Sequence, residues 1–208
     1  LQEWKASYQS GFYLASKGYK TVLMCLSLMD VGYHLQYAFV KGFESGGGNY
    51  VGYLTAKMKI DEAFCEKLNE QLEKTKPDIV YCGFAGDDAM AFLSATSAII
   101  DKHDVVLAGP ALFTLPEVVA AFSGLRKEIY TSSSWYPILD NEHNAKLKKS
   151  FESISEQLFD RFSLLGYECA KTLIDCAAYN ESGRFDTVAT ANNIRNYELH
   201  SPRGNCTY

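Results

Sequence analysis

The sequence has no long apolar run and no block of basic residues. Its longest apolar runs, Thr21–Met29 and Val105–Phe113, are shorter than ten residues, whereas a membrane-spanning helix needs about 20. The 20 Lys and Arg are outnumbered by 25 Asp and Glu, which gives a net charge of −5. This balance argues against nucleic acid or an anionic membrane as the main partner. The sequence therefore predicts no transmembrane segment and no nucleic-acid partner.

Metal-binding patterns are also absent. The six cysteines are scattered, no two form a C-x-x-C pair, and none has a histidine at metal-ligand spacing. These absences disfavour a zinc site, and we expect no metal and no cofactor. Cys25 and Cys82 lie in apolar runs, which favours small buried thiols. A disulfide between two distant cysteines stays open.

The common catalytic motifs are missing as well. There is no Walker pattern, no G-x-G-x-x-G, no G-x-S-x-G and no H-E-x-x-H. Gly46–Gly48 follow a predicted helix and precede a predicted strand, whereas a phosphate loop follows a strand and opens a helix. We interpret these glycines as a helix end and a turn. The four histidines are isolated, so nothing nominates a catalytic triad, and the chain is not predicted to be an enzyme.

What is present is an alternation of strands and helices over the first 132 residues. The 208 residues, 47% of them hydrophobic, suffice for one large domain or two small ones. Continuous apolar runs such as Lys20–Ser27 are typical of strands covered on both faces. Alternating strands and helices predict βαβ units and a parallel sheet. The predicted strands are 20–27, 49–56, 79–84, 105–109 and 128–132, and the predicted helices are 1–18, 34–44, 61–74, 88–100 and 116–122.

The remaining residues are predicted to be helical. Helices are expected over 144–160, 163–178 and 187–196, followed by a short tail. These helices have no strands of their own to cover. Their apolar faces must therefore pack either on the first domain or on a partner that this chain does not contain.

The candidate ligand contacts follow from a rule for open parallel sheets, in which ligands bind beyond the carboxyl ends of the strands. Those ends carry aromatic side chains with polar tips, small hydroxyls and glycine turns, which suit a small polar ligand. Each residue also has a structural alternative: Asp30 and Asp88 as helix caps, and Trp135 as part of the core. The four segments are Ser27–Tyr33, Phe84–Asp88, Gly109–Thr114 and Ser132–Tyr136.

Several segments together resemble one protein family. Asp30-Val-Gly-Tyr33 and the glycine-rich run after Phe39 are similar to the second lobe of type I periplasmic binding proteins of the leucine/isoleucine/valine branch. Their order and spacing extend the resemblance over nearly the whole chain. The other matching segments are Pro77–Gly83, Leu107–Pro110, Leu165–Ala170 and Ser201–Gly204.

The resemblance implies a fold and a domain arrangement. It implies an α/β fold, a three-layer, doubly wound, mostly parallel sheet with a trailing helical segment. Residues 1–134 would form the second lobe, and residues 135–208 would belong largely to the first lobe and the hinge. Family members close two such lobes on a ligand. We therefore expect a mature chain or excised C-terminal fragment that lacks most of the first lobe, and self-association of that fragment.

The resemblance also implies a function. It predicts an extracytoplasmic receptor, periplasmic or extracellular, that passes a small polar, amino-acid-like solute to an ABC transporter permease. A lipid anchor is an option for the full-length protein. Six cysteines without obvious pairing leave an intracellular sensor of the same fold as the alternative. Ala111 stands where amino-acid binders carry an acidic residue, which puts an α-amino acid ligand in doubt. The predicted ligand contacts are Tyr33, Phe84 and Trp135 for aromatic packing, Asp87 and Ser134 for polar anchoring, and Ala111 as a small site.

Overall fold

The computed structural model of the chain describes residues 3–28, 33–56, 59–121 and 128–207. Strands and helices alternate in the first part, as predicted. The elements are α1 (Glu3–Ser16), β1 (Thr21–Ser27), α2 (Tyr33–Ser45), β2 (Asn49–Ala56), α3 (Glu62–Thr75), β3 (Ile79–Gly83), α4 (Gly86–His103), β4 (Val106–Pro110), a 3-10 helix (Ala111–Thr114), α5 (Pro116–Ala121) and β5 (Ile129–Ser132).

Within these ranges the strands form one parallel sheet in the order β2-β1-β3-β4-β5. One face packs against α1 and α2 through a cluster that includes Leu14, Phe39 and Phe43. The other face packs against α3, α4 and α5 through a second cluster that includes Leu68 and Phe92. Each fully buried apolar side chain stabilises the fold by roughly 1.5–3 kcal/mol. The predicted three-layer, doubly wound fold is confirmed.

Helices α1 and α2 approach each other closely because glycines line their contact. A Cβ atom at Gly11 would lie 2.1 Å from the carbonyl oxygen of Phe39, and one at Gly42 would lie 1.9 Å from that of Tyr8. Both neighbours are backbone atoms that cannot rotate away. Ser7 adds a hydrogen bond from its hydroxyl to the carbonyl of Leu35 at 2.6 Å. Any larger side chain at either glycine would separate the two helices.

Helix α3 shows how the local sequence fixes an element. The side chain of Asp61 accepts a hydrogen bond from the Phe64 amide at 2.9 Å and caps the helix. Phe64, Leu68 and Leu72 recur at four-residue spacing and are buried on one face. The helix ends at Thr75, and the residue that follows, Lys76, adopts a left-handed conformation with φ of 43°.

The contacts within the chain divide it into two units, Leu1–Ser133 and Ser134–Tyr208. In the second unit, Trp135, Phe159 and Leu164 form a small core of their own. Its elements are α6 (Glu142–Glu152), α7 (Arg161–Cys176), α8 (Thr187–Arg195), β6 (Glu198–Ser201) and β7 (Gly204–Thr207).

Two predictions for the second unit were wrong. Helix α6 ends at Glu152 rather than near residue 160, because Ser153, Ile154 and Ser155 are weak helix formers. Ser153 donates to the carbonyl of Ser150, and Ser155 accepts from the Gln157 amide, bonds that compete with helical ones. The tail also contains strands, which were not expected in this part, since β6 and β7 pair as an antiparallel hairpin. Strands of four residues are too short to produce a clear alternating pattern.

Candidate functional site

The carboxyl ends of β1, β3, β4 and β5 meet at one edge of the sheet because these strands are parallel. At this edge the hydroxyl of Ser27, the last residue of β1, donates to Oδ2 of Asp88 in the first turn of α4 at 2.9 Å. Asp88 thus ties a helix start to a neighbouring strand end. The side chain of Gln36 is buried beside Gly83, where a Cβ atom would lie 3.0 Å from Gln36 Nε2. Nothing in the helical pattern around Gln36 had indicated this position.

Phe84 does not lie on the surface of this edge. It follows β3, is fully buried in the same core cluster as Cys82 and stacks on Phe92 with ring centroids 4.6 Å apart. The alternation of β3 explains this placement, since residues two apart point to the same face. Within the described chain, Phe84 therefore offers no surface to a ligand and supports the loop beneath the edge.

Asp87 is exposed in the first turn of α4. The residue before the helix, Ala85, makes no side-chain capping bond, and Gly86 adopts a left-handed conformation with φ of 49°. The carboxylates of Asp87 and Asp88 instead compensate the partial positive charge of the helix start. Asp87 thus presents an anionic acceptor at the edge, while Asp88 is bonded to Ser27.

Ala111 begins the 3-10 helix directly after β4 and is almost fully buried. The backbone packs tightly here, since a Cβ atom at Gly109 would lie 2.9 Å from the carbonyl oxygen of Cys82. Ala111 therefore places a methyl group, and no charge, at this strand end. Asp87 and Ala111 follow β3 and β4, which are neighbouring strands of the sheet.

Trp135 and Ser134 belong to the second unit. Trp135 is 5% exposed and packs against Phe159 with ring centroids 5.4 Å apart. Its indole Nε1 donates to Oδ1 of Asn144 at 2.9 Å. Ser134 is exposed, and its hydroxyl accepts from Nη1 of Arg203 at 3.4 Å. Sequence reasoning had not selected Asn144 or Arg203, because their partners are distant in the chain or buried.

Two residues of the predicted site fall outside what the structure describes. Asp30 lies outside the described residues. Tyr33 begins α2, but its side chain lies outside the described part of the chain. The ligand contact predicted for Tyr33 therefore stays a prediction.

The six cysteines, all among the described residues, carry free thiols. Cys25 and Cys82 are paired in register on β1 and β3 and are fully buried. Burial raises the pKa of both thiols far above the ordinary value of 9.0, so both are neutral and unreactive in the folded chain. The described residues hold no group of three or more His, Cys, Asp or Glu side chains that could bind a metal ion. No helix in the described ranges is long and apolar enough to cross a membrane.

A cavity of about 590 Å³ lies at the opposite edge of the first unit. Its lining comes from the ends of α3 and α4 and the starts of β3 and β4, and it includes Lys76, Asp78 and His103. Asp78 in this lining already accepts bonds from the amides of Lys20 and Thr21. The wide mouth and mixed charges of this cavity point to no single ligand class, so the carboxyl edge remains the candidate site.

The model of the family "Periplasmic binding protein" matches residues 4–208. The chain belongs to this family. Solved structures with the same fold are type I binding proteins, as the sequence had suggested, and this prediction is confirmed. No curated protein matches the chain.

Solved structures share the fold of this chain at low sequence identity. One is an ABC transporter solute-binding protein from R. palustris in complex with benzoate, with 24% identity and a TM-score of 0.78. A second from R. palustris, in complex with 4-hydroxybenzoate, has 19% identity and a TM-score of 0.79. The leucine-, isoleucine-, valine-, threonine- and alanine-binding protein of Brucella ovis, in its closed conformation, has 13% identity and a TM-score of 0.78.

The chain is much shorter than these three structures. The matches cover 97–99% of this chain but only 53–56% of the chains in the three structures. It therefore spans about half of the length of the structures it matches.

Proposed function

We propose that this chain forms the solute-binding half of an extracytoplasmic receptor that delivers a small polar solute to the permease of an ABC transporter. The observation that carries the proposal is the family match over nearly the whole chain, combined with a parallel sheet whose strand ends form one polar edge. The receptor binds its solute by closure of two lobes and catalyses no reaction. A lipid anchor on the full-length protein is an optional part of this proposal.

The domain assignment is part of the same proposal. Residues 1–134 form the second lobe, and residues 135–208 belong largely to the first lobe and the hinge. Helix α7 supports this assignment, because Leu164, Glu168, Thr172 and Cys176 are buried while the opposite face is exposed and uncharged. That exposed face includes Phe162, Gly166, Cys169, Ala170, Leu173 and Ile174. An apolar face of this kind is typical of a surface that packs against further protein.

As part of this proposal, the solute is an aromatic acid such as 4-hydroxybenzoate rather than an α-amino acid. A buried ammonium group needs a counter-charge, and Ala111 supplies none at its strand end. Asp87 is exposed one strand away and can accept a hydrogen bond from a phenol hydroxyl, a charge-assisted bond that contributes about 1.5–3 kcal/mol. Solute-binding proteins of the same fold are in complex with benzoate and 4-hydroxybenzoate, which supports this choice.

Amide NMR of the purified chain, titrated with 4-hydroxybenzoate, benzoate and leucine, tests the proposal. We expect 4-hydroxybenzoate to shift the amides of residues 85–88 and 111, benzoate to bind about tenfold more weakly, as the loss of one charge-assisted hydrogen bond implies, and leucine to have no effect. Asp87→Asn should remove the preference for the hydroxyl, and Ala111→Glu should weaken binding of both aromatic acids by charge repulsion. Val119→Glu, at an exposed position of α5, is the control for added charge. Tighter binding of leucine than of either aromatic acid would contradict the solute class.

The six free thiols support a second candidate function, an intracellular ligand sensor of the same fold. Unpaired cysteines are more common in reducing compartments than in oxidising ones. Fractionation of cells that produce the full-length protein separates the two candidates. Recovery with extracytoplasmic proteins supports the receptor, and recovery in the cytoplasm supports the sensor.

A further inference from the structure

Ser27 ends the row of side chains that β1 directs towards α3 and α4. Residues two apart in a strand point to the same face, and Leu23 and Cys25 lie in the core cluster on that face of the sheet. Ser27, the next residue of the row, is buried as well, with 7% of its surface exposed. An otherwise apolar row therefore ends in a hydroxyl, and a buried hydroxyl needs a hydrogen-bond partner.

That partner is the carboxylate of Asp88 in the first turn of α4. The hydroxyl of Ser27 donates to Oδ2 of Asp88 at 2.9 Å, and the two residues are 61 positions apart in the chain. A hydrogen bond to a carboxylate is stronger than one between two neutral groups. The pair therefore fixes how the first turn of α4 is oriented relative to the end of β1.

The backbone between β3 and α4 is held at further points. Phe84 stacks on Phe92 in the core, with ring centroids 4.6 Å apart. Gly86 adopts a left-handed conformation with φ of 49°, which a residue with a Cβ atom rarely adopts. The amide of Ala89 donates to the carbonyl of Ala85 at 3.2 Å and closes the first turn of the helix. This connection therefore follows a defined path on which the direction of each side chain is set.

Asp87 precedes Asp88 in this turn and points in another direction. Successive residues of an α-helix are about 100° apart around the helix axis, so Asp87 does not share the direction that Asp88 takes towards Ser27. Asp87 is exposed, and a Cβ atom added at the neighbouring Gly86 would meet no atom within 4 Å. The space beside Asp87 is therefore open, and the direction of its carboxylate depends on the bond between Ser27 and Asp88.

We propose that Ser27 and Asp88 are positioning residues that hold the carboxylate of Asp87 in place for the hydroxyl of the solute, and that this pair thereby sets the preference for a hydroxylated aromatic acid. The identity of the solute rests on the proposed function. The positioning role rests on the hydrogen bond and on the geometry of the turn, and it can be tested without a solute.

The expected consequence concerns selectivity as well as affinity. A hydrogen bond weakens steeply when its angle is distorted, so a displaced Asp87 carboxylate loses its bond to the hydroxyl of 4-hydroxybenzoate. Benzoate has no such hydroxyl and loses nothing by the same displacement. Loss of positioning therefore lowers the ratio of the two dissociation constants, whereas a general loss of stability weakens binding of both solutes alike.

The test uses the 208-residue chain. Ser27→Ala removes the donor, and Asp88→Ala removes the acceptor and serves as the second variant if Ser27→Ala does not fold. Ser27→Thr keeps the hydroxyl and is the conservative variant. The matched control is Ser7→Ala, which also removes a buried serine hydroxyl, one that donates to the carbonyl of Leu35 at 2.6 Å where α1 contacts α2.

Two quantities are measured: hydrogen exchange of the Ala89 amide without solute, and the dissociation constants for benzoate and 4-hydroxybenzoate. We expect Ser27→Ala and Asp88→Ala to accelerate exchange at Ala89 at least about tenfold, as the loss of one hydrogen bond to a charged group implies. The ratio of the dissociation constant for benzoate to that for 4-hydroxybenzoate should fall from about ten to about two or less. Ser27→Thr should keep both wild-type values, and Ser7→Ala should change neither.

An unchanged ratio or unchanged exchange in Ser27→Ala and Asp88→Ala would overturn the positioning role, and so would equal effects in Ser7→Ala. A wild-type chain that binds neither 4-hydroxybenzoate, benzoate nor leucine would overturn the proposed function and, with it, the selectivity. Exchange at Ala89 is measured without solute and would still decide whether Ser27 and Asp88 hold the turn. The two failures are therefore distinguishable.

Discussion

At the scale of single residues, two side chains at strand ends are more buried than their position in the sequence indicates. Phe84 and Trp135 follow strand ends, where ligand contacts are expected, yet both are buried in the structure. Cys25 and Cys82, in contrast, are the buried thiols that their apolar surroundings predict. The difference arises because a side chain inside an apolar strand is buried, whereas a side chain at the end of a strand can lie either on the surface or in the core.

The two buried thiols predict a pH dependence of stability. Their pKa values are raised in the folded chain by burial, while the unfolded chain keeps the ordinary value of 9.0. The stability that the neutral thiols contribute is therefore complete below pH 9 and is lost as the pH rises above it. The free energy of unfolding of the wild type should therefore fall by about 3 kcal/mol between pH 8 and pH 10, since each thiol contributes about 1.4 kcal/mol for each pH unit above 9. Removing both thiols should abolish this fall.

Urea unfolding of the wild type and of the Cys25→Ala, Cys82→Ala double variant at these two pH values measures the effect. The double variant should be less stable at pH 8 because of the cavities it creates, but its stability should fall less steeply. Cys169→Ala, at an exposed position of α7, should keep the wild-type slope. Parallel slopes in the wild type and the double variant would contradict the prediction.

At the scale of elements, close packing of two helices depends on glycines at the positions where the helices touch. Helices α1 and α2 pack backbone to backbone at Gly11 and Gly42, whereas a Cβ atom added at Gly166 on α7 would point into open space. The same residue type is therefore indispensable in one helix pair and dispensable in another helix. Neither role follows from helix propensity, which disfavours glycine equally in all three helices.

Substitution by alanine should separate these roles. Gly42→Ala places a Cβ atom against a backbone carbonyl, so we expect a loss of at least about 3 kcal/mol in the free energy of unfolding. Gly166→Ala should instead stabilise the chain by roughly 0.5–1 kcal/mol through helix propensity. Thermal and urea unfolding of the two variants measure both effects. A loss for Gly166→Ala equal to that of Gly42→Ala would contradict the different roles assigned to the two glycines.

At the scale of the whole molecule, the second unit exposes several large apolar side chains beside its small core. Ile154, Leu158 and Ile174 each expose at least three quarters of their surface. Because exposed apolar patches drive association, the isolated chain should associate with itself. This follows from the proposal that the exposed face of α7 packs against further residues of a receptor that is about twice as long.

Light scattering at rising protein concentration measures this association. The mean mass should exceed the 23.2 kDa of one chain, and Leu173→Glu together with Ile174→Glu should return it towards that value. Tyr53→Glu, at an exposed position of β2 in the first unit, is the matched control and should leave association unchanged. A wild-type chain that stays monomeric at high concentration would contradict the prediction.

The periodicity of the chain predicted most of the first unit because its elements are long and locally encoded. The cap at Asp61 and the continuous apolar run of β1 are each legible within a few residues. The end of α6 and the hairpin of β6 and β7 were not predicted, because weak helix formers and four-residue strands give no strong local signal. For the site, the sequence predicted only the edge of the sheet at which it lies. Which side chains of that edge can contact a ligand depends on which of them pack into the core.

The sequence by itself determined the α/β order of elements, the parallel sheet and the family, because apolar spacing and short motifs are properties of neighbouring residues. Only the tertiary structure decided that Phe84 and Trp135 are buried, that Asp88 is bonded to Ser27, and that Asn144 and Arg203 are bonded to Trp135 and Ser134. Those outcomes depend on pairs far apart in the chain. Their hydrogen bonds and packing exist only once folding has brought both partners together.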